Sequence, residues 1–311
     1  VTRSIIESAS RARLCKGWEA VVNDIAPAQV SFREILVATD LSDASTTALA
    51  YAKAIAKRYA SHIVLVHIGQ PPRHIAIPQG GWVDDPIIHR SEKEIEALEA
   101  KLRVEGYATE AINAFGSIER EVKSLAKAHD ADLVVLGTHG KRGIERLLFG
   151  SEAEALIRDC DRPVFTVGPA AAPPQNGAWL PNEIICVAAP GAGSAKAAAY
   201  GYQLARENGA RFTLFYAEDP GSAPDPGRWQ EFEAAFDKAL PGGEAHRCPI
   251  QGYFSNESPA AHIVEAAKKR QADLIVLGTK HAIPGSTHFR WGVLPDILLH
   301  AHCPVLTINS H

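Results

Sequence analysis

Apolar and polar positions alternate along the chain between two kinds of segment, and the alternation runs through twice. Ile35–Thr39, Ile63–Ile68 and Leu133–Gly137 are short, almost unbroken apolar runs. Runs of that length bounded by Gly, Pro, Asp or Ser predict strands buried on both faces. Thr109–Phe115 reads as a further strand, and Val164–Val167 as the last of the set after Pro163. Between them the period changes to that of a helix. An Ala-rich stretch, Thr47–Tyr59, follows the helix-start cluster Ser42-Asp43-Ala44-Ser45, and Ser91–Glu105 carries charges four apart. Ile118–His129 and Leu147–Asp159 complete the helices, while Pro71–Pro86 reads as loop.

The same order then returns. Glu34-Ile35-Leu36 recurs as Glu183-Ile184-Ile185, an offset of 183 − 34 = 149. Ala131-Asp132-Leu133-Val134-Val135-Leu136-Gly137-Thr138 recurs as Ala272-Asp273-Leu274-Ile275-Val276-Leu277-Gly278-Thr279, an offset of 272 − 131 = 141. The chain is therefore a duplication, with a net deletion in the middle of the second copy, where loops tolerate it. Strands of the second copy fall at Ile184–Ala188, Phe212–Tyr216, His246–Tyr253, Leu274–Gly278 and Val305–Ile308. Its helices fall at Ala195–Glu207, Trp229–Leu240, Ala260–Arg270 and Leu294–His300. Trp229, Phe232 and Phe236 share one side of the second of these. The fold class is α/β: two tandem open parallel five-stranded sheets with helices on both faces. The domains are an N-terminal extension (1–30), a first copy (31–168), a Pro/Gly-rich linker (169–181) and a second copy (182–311).

Composition narrows the function classes. With 311 residues there is room for two cores, and 32 basic against 36 acidic residues leave a net charge of −4 with no long basic block. Neither nucleic acid nor an anionic membrane is an expected partner. No apolar run approaches a membrane span, and residues 1–29 mix charges in a way that does not suit a signal peptide. A short amphipathic helix around Ile5–Trp18 is one reading of that segment. Cys15, Cys160, Cys186, Cys248 and Cys303 are widely spaced and odd in number, which suits free thiols and a cytoplasmic location.

Open parallel sheets bind ligands beyond the carboxyl ends of their strands, where strand order reverses. In the first copy that edge collects Ala38-Thr39-Asp40, His67-Ile68 and Gly137-Thr138-His139-Gly140, the last running through Lys141 and Arg142 to Gly150-Ser151-Glu152. Glycines allow backbone N–H groups to converge on an anion. A helix start at Gly150-Ser151-Glu152 would turn free N–H groups and a positive dipole end toward phosphates. Asp40 would bond ribose hydroxyls or stand near a phosphate-bound Mg²⁺. Each piece also has a plainer reading: Gly137 as a turn, Asp40 or Ser151 as a helix cap. The common Gly-rich nucleotide loops are absent from the first copy.

Gly137-x2-Gly140-x9-Gly150-Ser151, with Thr39-Asp40-Leu41-Ser42 upstream, resembles the universal stress protein family, over 31–168 and more weakly over 181–309. The resemblance implies an adenine nucleotide alpha hydrolase-like fold and an ATP or AMP site. By that likeness Ala38, Thr39 and Asp40 line ribose and adenine, and Ile68 gives backbone contacts to the ring. Gly137, Gly140, Gly150, Ser151 and Glu152 hold ribose and phosphates, with His139 and Arg142 in the same loop. It also implies pairing through last strands, so that the two copies form a pseudo-dimer; a homodimer is a further arrangement of the same kind.

The second copy loses the pattern. Asp40 aligns with Ala189, Gly140 with His281, Gly150 with Trp291 and Ser151 with Gly292, while Gly137 keeps Gly278. Rings in place of glycines would fill space that phosphates need, so this copy is expected not to bind ATP in that manner. Gly191-x-Gly193-x-x-Lys196 is an incomplete dinucleotide fingerprint, read as a turn. His300, His302 and Cys303 lack convergent metal-ligand spacing, so no protein-held metal is expected, and His67 and His129 read as fold residues. Two functions remain open: an ATP-binding, nucleotide-responsive stress regulator with a structural or partner-binding second domain, or an interaction or small apolar-ligand module around His281, Phe289 and Trp291. No nucleophile–base pair, arginine finger or placed general base points to an enzyme beyond slow ATP hydrolysis.

Overall fold

Val, Ile and Leu fill the middles of the central strands and are buried there. Ile35, Leu36 and Val37 are fully buried, as are Ile63–Val66 and Leu133–Val135. The computed structural model describes residues 30–69, 86–138, 151–188, 192–217, 250–253, 259–279 and 293–309. It divides into two compact units that meet between Trp179 and Leu180 along the chain.

The first unit holds β1 (Glu34–Thr39), α1 (Asp43–Tyr59), β2 (His62–Gly69), α2 (Pro86–Val104), β3 (Ala108–Phe115), α3 (Ile118–Ala128), β4 (Leu133–Gly137), α4 (Ser151–Asp159) and β5 (Val164–Val167). Its strands are all parallel and stand in the order β3-β2-β1-β4-β5. The order reverses between β1 and β4. Helix α1 lies over β1 and β4, α2 over β2 and β3, and α3 packs against α4.

The second unit holds β6 (Glu183–Ala188), α5 (Ala192–Asn208), β7 (Arg211–Ala217), β8 (Ile250–Tyr253), α6 (Pro259–Arg270), β9 (Leu274–Thr279), α7 (Val293–His300) and β10 (Val305–Asn309). Its parallel order, β8-β7-β6-β9-β10, repeats that of the first. The five-stranded parallel sheet expected of each copy is present.

The repeated Ala-Asp-Leu triplet has a structural duty. Asp132 Oδ2 accepts from the N–H groups of Arg33 and Glu34 at 2.7 and 3.1 Å. Asp273 Oδ2 accepts from Asn182 and Glu183 at 2.6 and 3.1 Å. In both copies a carboxylate before the fourth strand pins the start of the first.

Several boundaries differ from expectation, most by one to three residues. Helix α2 begins at Pro86, not Ser91. In the sequence Pro86 reads as the end of a loop, but proline suits the first helical position, where its missing N–H costs nothing. Residues 169–179, read as linker, lie against the first unit. Tyr51 donates its hydroxyl to the Ala172 carbonyl at 2.7 Å, and Trp179 stacks edge-on against Phe165 with centroids 5.6 Å apart. Residues 1–29, including the expected Ile5–Trp18 helix, lie outside the described residues, as does the helix expected at Trp229–Leu240.

Candidate nucleotide site

At the carboxyl ends of β1, β2 and β4 the first unit encloses a cavity of about 420 Å³. That falls within the range of about 300–1,000 Å³ usual for small-molecule sites. It sits at the reversal of strand order. One rung of the sheet builds the floor, because Ala38 is registered with Val66 on one side and Leu136 on the other. Rung neighbours share a face, and the small Ala38 between two larger side chains leaves the hollow. Ile68 at the end of β2 and Ile118 at the start of α3 extend the apolar wall. Ile118 is 38% exposed, so its side chain is open to a ligand as well as to the wall.

The polar side comes from the turn leaving β1 and from the first turn of α4. Thr39, Asp40, Ser45, Thr138 and Glu152 line it, with Ala153 and Leu156 behind Glu152. Asp40 Oδ1 accepts from the Ser42 N–H at 3.1 Å and from the Ser45 hydroxyl at 2.8 Å. The cap of α1 is Ser42, in a reciprocal box with Ser45. Asp40 therefore braces the cap and faces the cavity at once, so the two readings of this residue do not exclude each other. Between them Leu41 stands in the left-handed region at φ 62°, a conformation that costs a non-glycine residue about 1–2 kcal/mol. Thr39 Oγ1 accepts from the Leu41 N–H at 3.0 Å and holds it there. The Thr39 carbonyl meets His67 Nδ1 at 3.0 Å, tying β2 to the same turn.

Ser151 opens α4, so the first-turn N–H groups of this helix, unpaired within it, belong to the edge lined by Glu152 and Ala153. The helix end carries the positive pole of the dipole. A flat apolar ring on the Ala38 rung, hydroxyls at Asp40 and an anion at α4 match this donor and acceptor set.

Of the residues expected here, Ala38, Thr39, Asp40, Ile68, Gly137 and Glu152 share the cavity wall, and Ser151 takes the first position of α4. His139, Gly140, Arg142 and Gly150 lie outside the described residues, as do Ala189, Gly191, His281, Phe289, Trp291 and Gly292 of the second copy. Thr138, placed at this edge with Gly137, also lines the cavity, whereas sequence reading missed Ser45, Val66, Leu136, Ile118, Ala153 and Leu156. Val66 and Leu136 were legible in principle, being the strand-end residues that flank Ala38 once the strand order is known. Among the described residues no helix is long and apolar enough to cross a membrane.

The model of the universal stress protein family matches residues 31–168 and 181–309. A universal stress protein of Methanocaldococcus jannaschii is 27% identical over 139 residues, covering 44% of this chain and 82% of that protein. A universal stress protein of Thermus aquaticus is 28% identical over 138 residues, covering 44% of this chain and 98% of its own. A solved universal stress protein from Archaeoglobus fulgidus superposes with a TM-score of 0.64 at 15% identity, over 90% of this chain and 99% of that one, a likeness of fold. With both copies matched in order, the chain belongs to the universal stress protein family.

Proposed function

We propose that the first unit binds an adenine nucleotide in the cavity at the ends of β1, β2 and β4, and that the chain acts as a nucleotide-responsive stress regulator. One observation carries this reading: a hollow floored by Ala38, Val66 and Leu136 is bordered by the Asp40 carboxylate and by the start of α4. Adenine lies against the apolar rung and takes backbone contacts at Ile68. Asp40 accepts from ribose hydroxyls. The phosphates lie toward Ser151 and the loop carrying Gly140 and Gly150, with Mg²⁺ accompanying a triphosphate near Asp40. ATP and AMP differ only at the outer end of this arrangement.

Phosphate binding is the regulatory step, because a ligand shifts a protein between states by its differential affinity for them. The second unit, with rings where the first has glycines, serves as structural or partner-binding support.

Calorimetric titration of ATP into the full chain and into Ala153→Trp tests the reading. Ala153 lines the cavity on the first turn of α4 and is half-buried, so an indole there occupies the hollow. Binding by the wild type and its loss in the variant is the expected pair of results. Absent binding in both, or equal binding in both, would refute it.

A further inference from the structure

We propose that the first unit carries a site for a divalent transition metal of the zinc class at the amino end of its sheet, opposite the nucleotide cavity. Glu34 opens β1, His62 opens β2 and Glu110 lies near the start of β3. Glu34 and His62 share a rung, and Glu110 stands two residues beyond Ala108, the β3 partner of His62. All three side chains therefore project from the same face. His62 Nδ1 and Glu34 Oε1 are 2.6 Å apart, and one potential ligand atom from each of Glu34, His62 and Glu110 lies within 4.8 Å of the others. Ligands at about 2.0–2.1 Å around a tetrahedral ion stand roughly 3.3 Å from one another. The 2.6 Å pair is closer than that and the other two pairs lie within 4.8 Å, so a bound ion would need the Glu34 and His62 ligand atoms to part by about 0.7 Å. His129, the residue that ends α3, places Nδ1 2.9 Å from Glu110 Oε1. It serves as the outer partner that fixes the orientation of a ligating carboxylate.

The second unit shows what this corner requires when no metal is provided for. At the matching positions, His62 becomes Arg211 (62 + 149) and His129 becomes Arg270 (129 + 141). Glu183, the counterpart of Glu34, is buried and receives the Thr213 hydroxyl at 2.6 Å, Arg211 Nε at 2.7 Å and Arg270 at 3.6 Å. There, one carboxylate faces two guanidinium groups, whose charge is permanent. In the first unit two carboxylates face two imidazoles, which carry no permanent charge and are the commonest protein ligands for metals. A bound divalent cation balances the two carboxylates as the arginines balance Glu183. Mixed imidazole and carboxylate donors suit zinc and its first-row neighbours rather than calcium.

The second unit also supplies the decisive variant. His62→Arg copies a residue that the same fold already accommodates at Arg211, so it retains the fold while removing a ligand. The full chain, prepared without a histidine tag and stripped with chelator, is titrated with Co²⁺ by absorbance and with Zn²⁺ by competition against a chromophoric chelator. One metal per chain is expected, weakened more than 100-fold in His62→Arg and in Glu110→Gln, and 10- to 100-fold in His129→Ala, the usual cost of losing an outer-shell partner. No metal bound by the wild type, or equal affinity in wild type and His62→Arg, overturns the proposal. Far-ultraviolet circular dichroism confirms folding of each variant, and ATP affinity unchanged in His62→Arg separates this site from the nucleotide cavity.

Discussion

Asp40→Asn separates the two duties that the structure gives Asp40. Its Oδ1 accepts from the Ser42 N–H and the Ser45 hydroxyl, and an asparagine carbonyl of the same size accepts both. Stability is therefore expected to fall by no more than about 1 kcal/mol, the difference between a charged and a neutral acceptor. Asp40→Ala removes both bonds, at about 0.5–1.5 kcal/mol each, and is expected to lose roughly 1–3 kcal/mol. Toward a ribose Asp40→Ala loses the acceptor altogether, whereas Asp40→Asn keeps a neutral one and loses only part of the interaction. A hydrogen bond to a charged group contributes about 1.5–3 kcal/mol, so Asp40→Ala is expected to raise Kd roughly 10- to 150-fold, and Asp40→Asn, at about 1 kcal/mol, roughly fivefold. Urea denaturation followed by circular dichroism reads the first quantity, and calorimetric titration with ATP reads the second. If Asp40→Asn binds ATP as tightly as the wild type, Asp40 is only a helix brace and its place in the nucleotide site is wrong.

Three other outcomes follow from local structure. Ser42→Ala breaks the capping box with Ser45 and is expected to cost about 0.5–2 kcal/mol by urea denaturation. Burial pushes the Cys303 thiol up to about 12 from its ordinary 9.0, with the Asp273 charge adding to the effect. The folded state then keeps a proton that the unfolded state loses, so this contribution to stability is full below pH 9 and declines from there toward pH 12. Labelling with a thiol reagent at pH 8, read by peptide mass spectrometry, is expected to spare Cys303 and the buried Cys160 and Cys186 until the protein is unfolded; rapid labelling of Cys303 in the native protein would contradict its burial.

The strands were legible because a parallel sheet covered on both faces writes its strands as unbroken apolar runs; Leu133–Gly137 and Val164–Val167 have the expected limits. Helix starts were harder. Pro86 looks alike in sequence whether it closes a loop or opens a helix, and only packing of α2 over β2 and β3 decides. At the cavity, Asp40 and Gly137 stood out by type and spacing, whereas Val66 and Leu136 look like any core residue until the register sets them beside Ala38. Ser45 was read as a helix-start residue, and its second role, donating to Asp40, depends on the turn at Leu41. Glu34, His62 and Glu110 escaped because 28 and 48 residues separate them along the chain and only strand pairing joins them. His129 reads in sequence as a fold residue, and its contact with Glu110 joins the end of a helix to a strand.

The number of ATP molecules held per chain tests the account most directly, since it asks at once whether the first cavity binds and whether the second copy does not. Isothermal titration of the full chain is predicted to give a stoichiometry of one, abolished by Ala153→Trp. Two sites per chain, or none, would contradict it.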